Sequence, residues 1–226
     1  MKKVLIYGMF LALMIGLNSC DKKTEDISTI TYFVNIELNG DALVFHEKGT
    51  PWVDPGFSAT EGDDDVTANV VVTTPSMNEL GYYEITYSAT NSDGYAGHVT
   101  RNVVVYDGNL STTDISGEYT SDVVRNSSES YAGNPVVISK TPVDGVYEIS
   151  DWIGGFYNIG RGYGAGYAFH GYFQMKSDTE FDIISSTNPW NAPLDSVENM
   201  VYNPTDNTIT YTAKWLGKYN YDISLY

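Results

Sequence analysis

The chain has 226 residues and a formal net charge of −17, with 29 acidic residues against 12 lysines and arginines. Nucleic acid and anionic lipid surfaces both require a basic face, so this balance argues against them as partners. Cys20 is the one cysteine in the sequence, which excludes an intramolecular disulfide.

The first 20 residues predict a secretory signal that ends at a lipidated cysteine. Two lysines form its positive end, and the apolar run over residues 4–17 is too short to span a membrane. Its end, Leu-Asn-Ser-Cys, resembles the bacterial lipobox, whose cysteine receives a diacylglycerol thioether and becomes the mature N-terminus. We therefore expect removal of residues 1–19 and a lipid on Cys20; a free thiol after an ordinary signal peptide is the alternative.

A short acidic tether follows the cysteine. Removal of the signal takes two lysines with it and lowers the net charge from −17 to −19. Asp21, Glu25 and Asp26 resemble the acidic signal that sends lipoproteins of Bacteroidetes-type bacteria to the outer face of the outer membrane. We expect residues 20–30 to form the lipidated end and a polar tether, and the protein to be an outer-membrane lipoprotein exposed at the cell surface.

Alternating apolar and polar residues predict an all-β protein with two domains. The mature chain lacks the i, i+3, i+4, i+7 apolar stripe of a helix, whereas period-two alternation is frequent. Over residues 31–107 the alternation predicts a small antiparallel sandwich of immunoglobulin (Ig) type. The predicted strands are residues 32–38, 42–46, 69–73, 82–89 and 98–106.

Four motifs in this first domain resemble a bacterial Ig-like repeat. They are Gly-Thr-Pro-Trp-Val-Asp-Pro-Gly-Phe-Ser-Ala at residues 49–59, Gly-Tyr-Tyr-Glu-Ile-Thr-Tyr at 81–87, Asp-Gly at 93–94 and Arg-Asn-Val-Val-Val at 101–105. The repeat is common on bacterial cell-surface proteins and also occurs in an insecticidal crystal toxin. The resemblance implies an Ig-like β-sandwich that acts as a spacer.

A polar connector over residues 108–115 leads to a second domain, residues 116–226, and we expect few contacts between the two domains. Its eight consecutive predicted strands favour an up-and-down antiparallel β-barrel that leaves no edge unpaired. The opening Asp-Ile-Ser-Gly-Glu-Tyr at residues 114–119 resembles the first strand of lipocalin-like domains in Bacteroidetes-type surface lipoproteins, a family largely without assigned function. The predicted strands are residues 116–125, 135–140, 145–152, 167–175, 180–185, 197–202, 208–215 and 219–226.

The connections of the predicted barrel differ in length according to their order. Successive connections of a meander alternate between the two ends of a barrel. The second, fourth and sixth are short, whereas the first, third and fifth, residues 126–134, 153–166 and 186–196, are long. The density of glycine in the third predicts an irregular loop with positive φ values. The long loops should meet at one end, which we call the mouth, and long loops on a rigid scaffold commonly carry binding sites.

Aromatic and polar side chains in these loops predict a carbohydrate-binding site at the mouth. Trp190 is the strongest candidate, because neighbouring prolines stiffen its loop and lower the ordering cost of binding. Sugars have apolar faces that stack on flat rings, and hydroxyls that bond to Asp, Asn and Tyr. Trp152 has a second interpretation as a core residue, and Arg161 is expected to meet either an anionic sugar or a nearby aspartate. The candidate residues are Trp190, Tyr157, Tyr163, Phe156, Asp151, Asn158, Arg161, Asn188, Asn191 and Trp152.

Signatures of catalysis and of metal binding are missing from the sequence. His46, His98 and His170 are far apart and have no carboxylate or histidine at ligand spacing, so we expect no metal site. The sequence also lacks a Gly-x-Ser-x-Gly motif and a second cysteine. We therefore expect neither an enzyme nor a bound cofactor.

Two functions fit these observations. The first is a surface-anchored, non-enzymatic lipoprotein that binds a glycan at the mouth as an accessory to nutrient capture. Its expected partners are the membrane, through the lipid on Cys20, a glycan and other outer-membrane uptake proteins, but not nucleic acid. The second is a structural or adhesive surface module that contacts protein partners and binds no small ligand.

Overall fold

The computed structural model describes residues 30–226 and shows an almost entirely β-stranded protein. The predicted signal, Cys20 and the tether through residue 29 lie outside the described residues. Between residues 30 and 226, no helix combines the length and the hydropathy that a membrane crossing requires. The predicted fold class, an Ig-like sandwich followed by an eight-stranded antiparallel barrel, is confirmed.

The N-terminal sandwich packs a three-stranded sheet against a four-stranded sheet. The strands are β1 Val34–Leu38, β2 Leu43–Glu47, β3 Phe57–Glu61, β4 Asp64–Asp65, β5 Val71–Thr73, β6 Gly81–Thr90 and β7 Ala96–Tyr106. The sheet orders are β1-β3-β4 and β2-β7-β6-β5. Two features differ from the sequence-based expectation: β3 and β4 are not among the predicted strands, and β2 pairs with β7 in parallel rather than antiparallel.

Arg101 joins two of the motifs that carry the Ig-like resemblance. Its fully buried guanidinium donates hydrogen bonds to three carbonyl oxygens, including that of Gly56, at 2.6 to 3.0 Å. It also donates to the Tyr87 hydroxyl at 3.2 Å, and this hydroxyl donates to Asp54. The Asp-Pro-Gly corner and the last strand of the sandwich are therefore held together by one buried, hydrogen-bonded cation.

Eight consecutive strands form the C-terminal barrel. They are β8 Gly117–Arg125, β9 Glu129–Lys140, β10 Val146–Ile149, β11 His170–Ser177, β12 Glu180–Thr187, β13 Ser196–Asn203, β14 Thr208–Trp215 and β15 Tyr219–Leu225. Strands that follow one another pair antiparallel, except β12 and β13, and β15 returns to pair with β8. Inward side chains such as Ile209, Tyr211 and Trp215 of β14 fill the interior, as the alternation predicts.

The first connection of the barrel is a tight turn rather than the predicted long loop. β9 begins at Glu129, so only residues 126–128 separate it from β8. Asn126 and Ser127 in this turn have φ values of 48° and 54°. Tyr131, inside the predicted loop, packs its ring against Phe156 of the barrel interior with centroids 5.1 Å apart. This interior contact favours the extension of the strand.

The barrel is nearly closed and has one open seam, between β12 and β13. β13 bulges between Glu198 and Val201, where Asn199 has a φ of 54°, and a bulge of this kind bends its strand. A cleft of about 290 Å³ opens along the seam and reaches Trp152 and Phe173. The expectation that no edge of the barrel stays unpaired is therefore wrong at this place.

The two domains share an apolar interface. Val104 of β7 packs with Val146 and Ile184 of the barrel, and all three side chains are buried. The ring of Tyr172 stacks on Tyr82 across the interface, with centroids 6.0 Å apart. The polar connector predicted few contacts between the domains, whereas the structure shows that their surfaces are packed together.

A polar network borders this interface. Asp107, at the end of the sandwich, forms ion pairs with Lys48 at 2.7 Å and with Lys176 of the barrel at 3.2 Å. Gln174 accepts the Asp107 N–H and donates from its own amide to Asp107 and Asp182. The hydrogen bond from Lys48 is the main reason that the pKa of Asp107 is lowered. One carboxylate therefore binds a cation from each domain.

We expect Tyr172→Ala to loosen the interface, because the substitution removes the ring that stacks on Tyr82. The loss should be about 1 to 2 kcal/mol of coupling between the domains. We expect calorimetry to show one unfolding transition for the unmodified protein and two for the variant. Tyr226→Ala, which truncates an exposed ring at the end of the chain, is the control. A Tyr172→Ala variant that unfolds like its parent would contradict a coupled interface.

Candidate functional site

The odd-numbered connections of the barrel lie at one end and form the mouth. They are residues 126–128, 150–169, 188–195 and 216–218. The Asn126 side chain donates to Lys218 O at 3.2 Å, which joins the first connection to the seventh. The rings of Tyr157 and Trp190, with centroids 5.1 Å apart, join the third connection to the fifth.

The beginning of the third connection folds into the barrel and fills its interior. Residues 151–157, which we call the plug segment, are all buried. Trp152 donates its backbone N–H to Phe169 O at 2.8 Å and its Nε1–H to Ser185 O at 3.1 Å. Its ring packs against Phe173 with centroids 5.4 Å apart. Main chain and side chains of the plug segment are thus part of the core.

Two glycines let the plug segment pass close to the barrel wall. Gly154 and Gly155 have φ values of 62° and 77°, in the left-handed region that glycine adopts most readily. A Cβ on Gly154 would collide with Ser121 Oγ, and a Cβ on Gly155 would lie 2.7 Å from Asn134 Cβ. These glycines have the predicted positive φ values, but they serve close packing.

Three of the predicted ligand-binding residues lie beneath the mouth. Asp151, Trp152 and Phe156 belong to the plug segment and expose 1% or less of their surface. Phe156 was expected in the third connection, and Asp151 and Trp152 at the end of the preceding predicted strand; the sequence does not indicate that the chain turns inward there. We therefore assign all three to the core.

Asp151 is a buried carboxylate inside the barrel. Its Oδ1 accepts the Ile153 N–H at 2.9 Å, whereas its Oδ2 has no hydrogen-bond partner among residues 30–226. The hydroxyl of Tyr211 is also buried and has no partner in this part of the chain. Burial raises the pKa of Asp151 from 3.8 to about 7, although backbone hydrogen bonds lower it. The carboxyl group therefore titrates near neutral pH.

Aromatic side chains line an open groove of about 430 Å³ at the mouth. The centroid of the Trp190 ring lies 5.1 Å from that of Tyr157 and 5.3 Å from that of Trp215. Trp190 exposes 41% of its surface, whereas Trp215 exposes 4% and donates its Nε1–H to Ala192 O. Buried rings therefore support exposed ones. The lining residues are Tyr157, Tyr163, Trp190, Ala192, Trp215, Leu216, Lys218 and Tyr219.

Two predicted asparagines shape the loop that presents Trp190. Asn188 Oδ1 accepts the Trp190 N–H at 3.0 Å, and Asn188 Nδ2 donates to Ala192 O. Asn191 has a φ of 50°, a left-handed conformation that asparagine tolerates better than most residues. Local hydrogen bonds thus fix the backbone of the loop that carries Trp190.

Arg161 and Arg125 share one carboxylate, that of Glu129, at the edge of the mouth. Arg161 donates to both carboxylate oxygens, at 3.0 and 2.7 Å, and Arg125 donates to Oε2. The hydrogen bond from Arg161 is the main reason that the pKa of Glu129 is lowered. Both guanidinium groups also lie over the ring of Phe156, at 4.8 Å for Arg125 and 5.3 Å for Arg161. Arg161 is therefore paired with an acidic residue, a glutamate instead of the expected aspartate.

The groove includes only part of the predicted site. Trp190, Tyr157 and Tyr163 line it together, while Asn158 is half-buried and its carbonyl oxygen accepts the Gly164 N–H. The tyrosine rings of residues 157 and 163 stack with centroids 5.8 Å apart.

Besides Ala192, the sequence-based site omits four groove residues in or beside the seventh connection, Trp215, Leu216, Lys218 and Tyr219. A signal for them was present, because the alternation of connections places the seventh connection at the mouth together with the long loops. That connection is short, and the candidate residues were chosen from the long connections, so residues beside the seventh were left out.

Comparisons with known proteins identify the family. Residues 36–105 match the model of the bacterial surface protein Ig-like domain, and residues 107–226, more than half of the chain, match the model of a C-terminal domain family. The chain is 33% identical to the lipoprotein BT2262 from Bacteroides thetaiotaomicron. This match covers 85% of this chain and 99% of that one, with a TM-score of 0.46. No curated protein matches the chain.

The chain belongs to the family of bacterial surface lipoproteins that includes the lipoprotein BT2262. The resemblance stated for its two domains is thereby confirmed, including the Ig-like module. A lipoprotein of this family is expected at the cell surface. The matched families are surface Ig-like and lipoprotein-type domains, and neither indicates an enzyme.

We expect Asp151→Asn to stabilise the surface lipoprotein at pH 8. The folded state has the raised pKa, about 7 against 3.8, so the carboxyl favours folding at low pH and this advantage is lost as the pH rises from about 4 to 7. The difference between these two pKa values corresponds to about 4 kcal/mol of unfolding free energy. Asparagine keeps an acceptor for the Ile153 N–H and carries no charge.

Urea unfolding of both proteins between pH 4 and pH 8 measures this effect. The unfolding free energy of Asp151→Asn minus that of its parent should change between about pH 4 and pH 7 and should be constant above pH 7. Parallel pH profiles for Asp151→Asn and its parent would show that the carboxyl is not held in an apolar site.

Proposed function

We propose that this lipoprotein is anchored in the outer membrane by Cys20 and binds a glycan in the groove at the mouth, without catalysing a reaction. The observation that carries the proposal is the groove itself, where five aromatic rings line one concave surface. Its volume of about 430 Å³ falls within the usual range for small-molecule sites, about 300 to 1,000 Å³. Capture of nutrient glycans together with outer-membrane uptake proteins is a role that suits such a site.

The groove combines exposure with rigidity, which is what stacking of a sugar on a ring requires. Trp190 and Tyr163 are exposed, and free rings of this size gain from a partner that covers them. Trp190 is also supported by four neighbouring rings and by a hydrogen-bonded loop, so little conformational entropy is lost on binding. These features support a preformed site for a sugar.

The position of the Ig-like domain supports a spacer role. In the chain order it lies between the predicted anchor and the barrel, and it packs on β10 to β12 through Val146, Tyr172 and Ile184. None of these residues lines the groove. The domain therefore leaves the mouth free for a ligand.

We expect Trp190→Ala to weaken glycan binding about tenfold or more with little change in the melting temperature, because an exposed stacking ring contributes to affinity more than to folding. Trp215→Ala should instead lose about 3 to 5 kcal/mol of stability, since its ring is buried. A glycan microarray identifies the best ligand, and calorimetry with that glycan and thermal unfolding give the two quantities.

Thr179→Ala, at the rim of the seam cleft, is the matched control and should bind like the unmodified protein. Equal loss of stability in the two tryptophan variants would show that the Trp190 ring belongs to the core of the barrel rather than to a binding surface. An array without any saccharide signal would favour the other function, a structural or adhesive module that contacts proteins.

The anchor is tested separately. Cys20→Ala removes the sulfur that would carry the diacylglycerol, so we expect the protein to leave the membrane fraction and to appear in the soluble fraction after cell lysis. Fractionation followed by immunoblotting and mass measurement of the N-terminus checks this. A variant that is still acylated and sediments with membranes would rule out Cys20 as the anchor.

A further inference from the structure

Positive charge is scarce in this protein and is concentrated at the mouth. Residues 30–226 contain eight lysines and arginines against 26 aspartates and glutamates. Three of the eight, Arg125, Arg161 and Lys218, lie next to the rings of the mouth, where each is within 5.5 Å of an aromatic centroid. A strongly acidic chain thus places a disproportionate share of its cations beside one groove.

Among the basic residues that the structure describes, Lys218 is the one without an acidic partner in residues 30–226. Seven of the eight basic side chains between residues 30 and 226 lie within 4.0 Å of a carboxylate, and Lys218 is the exception. Its Nζ lies 4.7 Å from the centroid of Tyr219, and both residues line the groove. An ammonium group without a carboxylate is therefore available to a ligand.

The acidic groups around the mouth do not neutralise this charge. Glu129 is shared by Arg125 and Arg161, so two cations face one carboxylate. The nearby Asp195 accepts the Gly217 N–H at 2.7 Å and so stabilises the turn that contains Lys218. Among the described residues at the surface of the mouth, two carboxylates thus stand against three cations, and the surplus is positive; the Asp151 carboxyl lies buried beneath it.

We infer that the groove selects saccharides that carry a carboxylate or a sulfate group. This rests on the proposed glycan binding. The sugar ring stacks on Trp190, and the anionic substituent pairs with the ammonium group of Lys218. An ion pair at this position is reinforced by the aromatic ring beside it, which excludes water from one side of the ammonium. Lysine presents a compact point charge with freely rotating donors, so it can pair with a carboxylate as well as with a sulfate group.

Matched pairs of oligosaccharides test the inference on the purified mature protein. One pair is trigalacturonate and its methyl ester, and a second is a sulfated galactan trisaccharide and its unsulfated parent. We expect at least one acidic member to bind about tenfold more tightly than its neutral partner at low salt, with the ratio shrinking as ionic strength rises. Which pair shows the difference distinguishes the carboxylate from the sulfate.

Lys218→Gln should reduce the ratio of the two affinities to about one, since it removes the charge and keeps the length of the side chain. Its exposed side chain makes no hydrogen bond within the described residues, so the fold should be retained, as circular dichroism will show. Lys140→Gln is the matched control, because it also removes one positive charge but breaks an ion pair with Asp114 at the opposite end of the barrel. This variant should keep the ratio.

The outcomes separate this inference from the proposed function. Equal binding of charged and neutral members, or a ratio that survives Lys218→Gln, overturns the preference for acidic saccharides and leaves glycan binding intact. Absence of binding for all four saccharides, together with a silent array, overturns the proposed function and the inference with it.

Discussion

The inward course of the plug segment determines both the interior of the barrel and the shape of its mouth. An eight-stranded barrel encloses just enough space for its own side chains. Here part of that space is taken by main chain, which Gly154 and Gly155 admit beside the wall. The segment ends at Tyr157, whose ring contacts both buried Trp215 and exposed Trp190. Core packing and the groove therefore depend on the same seven residues.

Most strands of this protein were predictable because alternation is a local property of the sequence, although β3 and β4 were missed. β14 is predicted over the same residues, 208–215, that the structure assigns to it. The plug segment was not predictable, because dense glycine is equally consistent with an open loop and with close packing. The first connection was misjudged for a related reason. Its polar composition favours a loop, whereas Tyr131 reaches the interior and keeps residues 129–134 in the sheet.

The domain interface shows where the sequence contained more information than alternation alone reveals. Val103, Val104 and Val105 form an uninterrupted apolar run in β7, and all three are fully buried. Two face the core of the sandwich, and Val104 faces the barrel. A continuous apolar run is typical of a strand that is covered on both faces. The polar connector argued for independent domains, but this run of valines indicated a second packed surface.

Binding and folding are linked in this barrel because its groove is built from core rings. A ligand that binds only the folded state adds to stability by mass action, by about 2.7 kcal/mol at a concentration one hundred times its dissociation constant. Substitution of Trp215 or Tyr157 therefore changes stability and affinity together and cannot assign a role to the ring. Only side chains that face the groove without supporting the core separate the two effects. Trp190 and Lys218 meet that condition in different ways, one through an exposed aromatic face and the other through a charge that the fold leaves unpaired within the described residues.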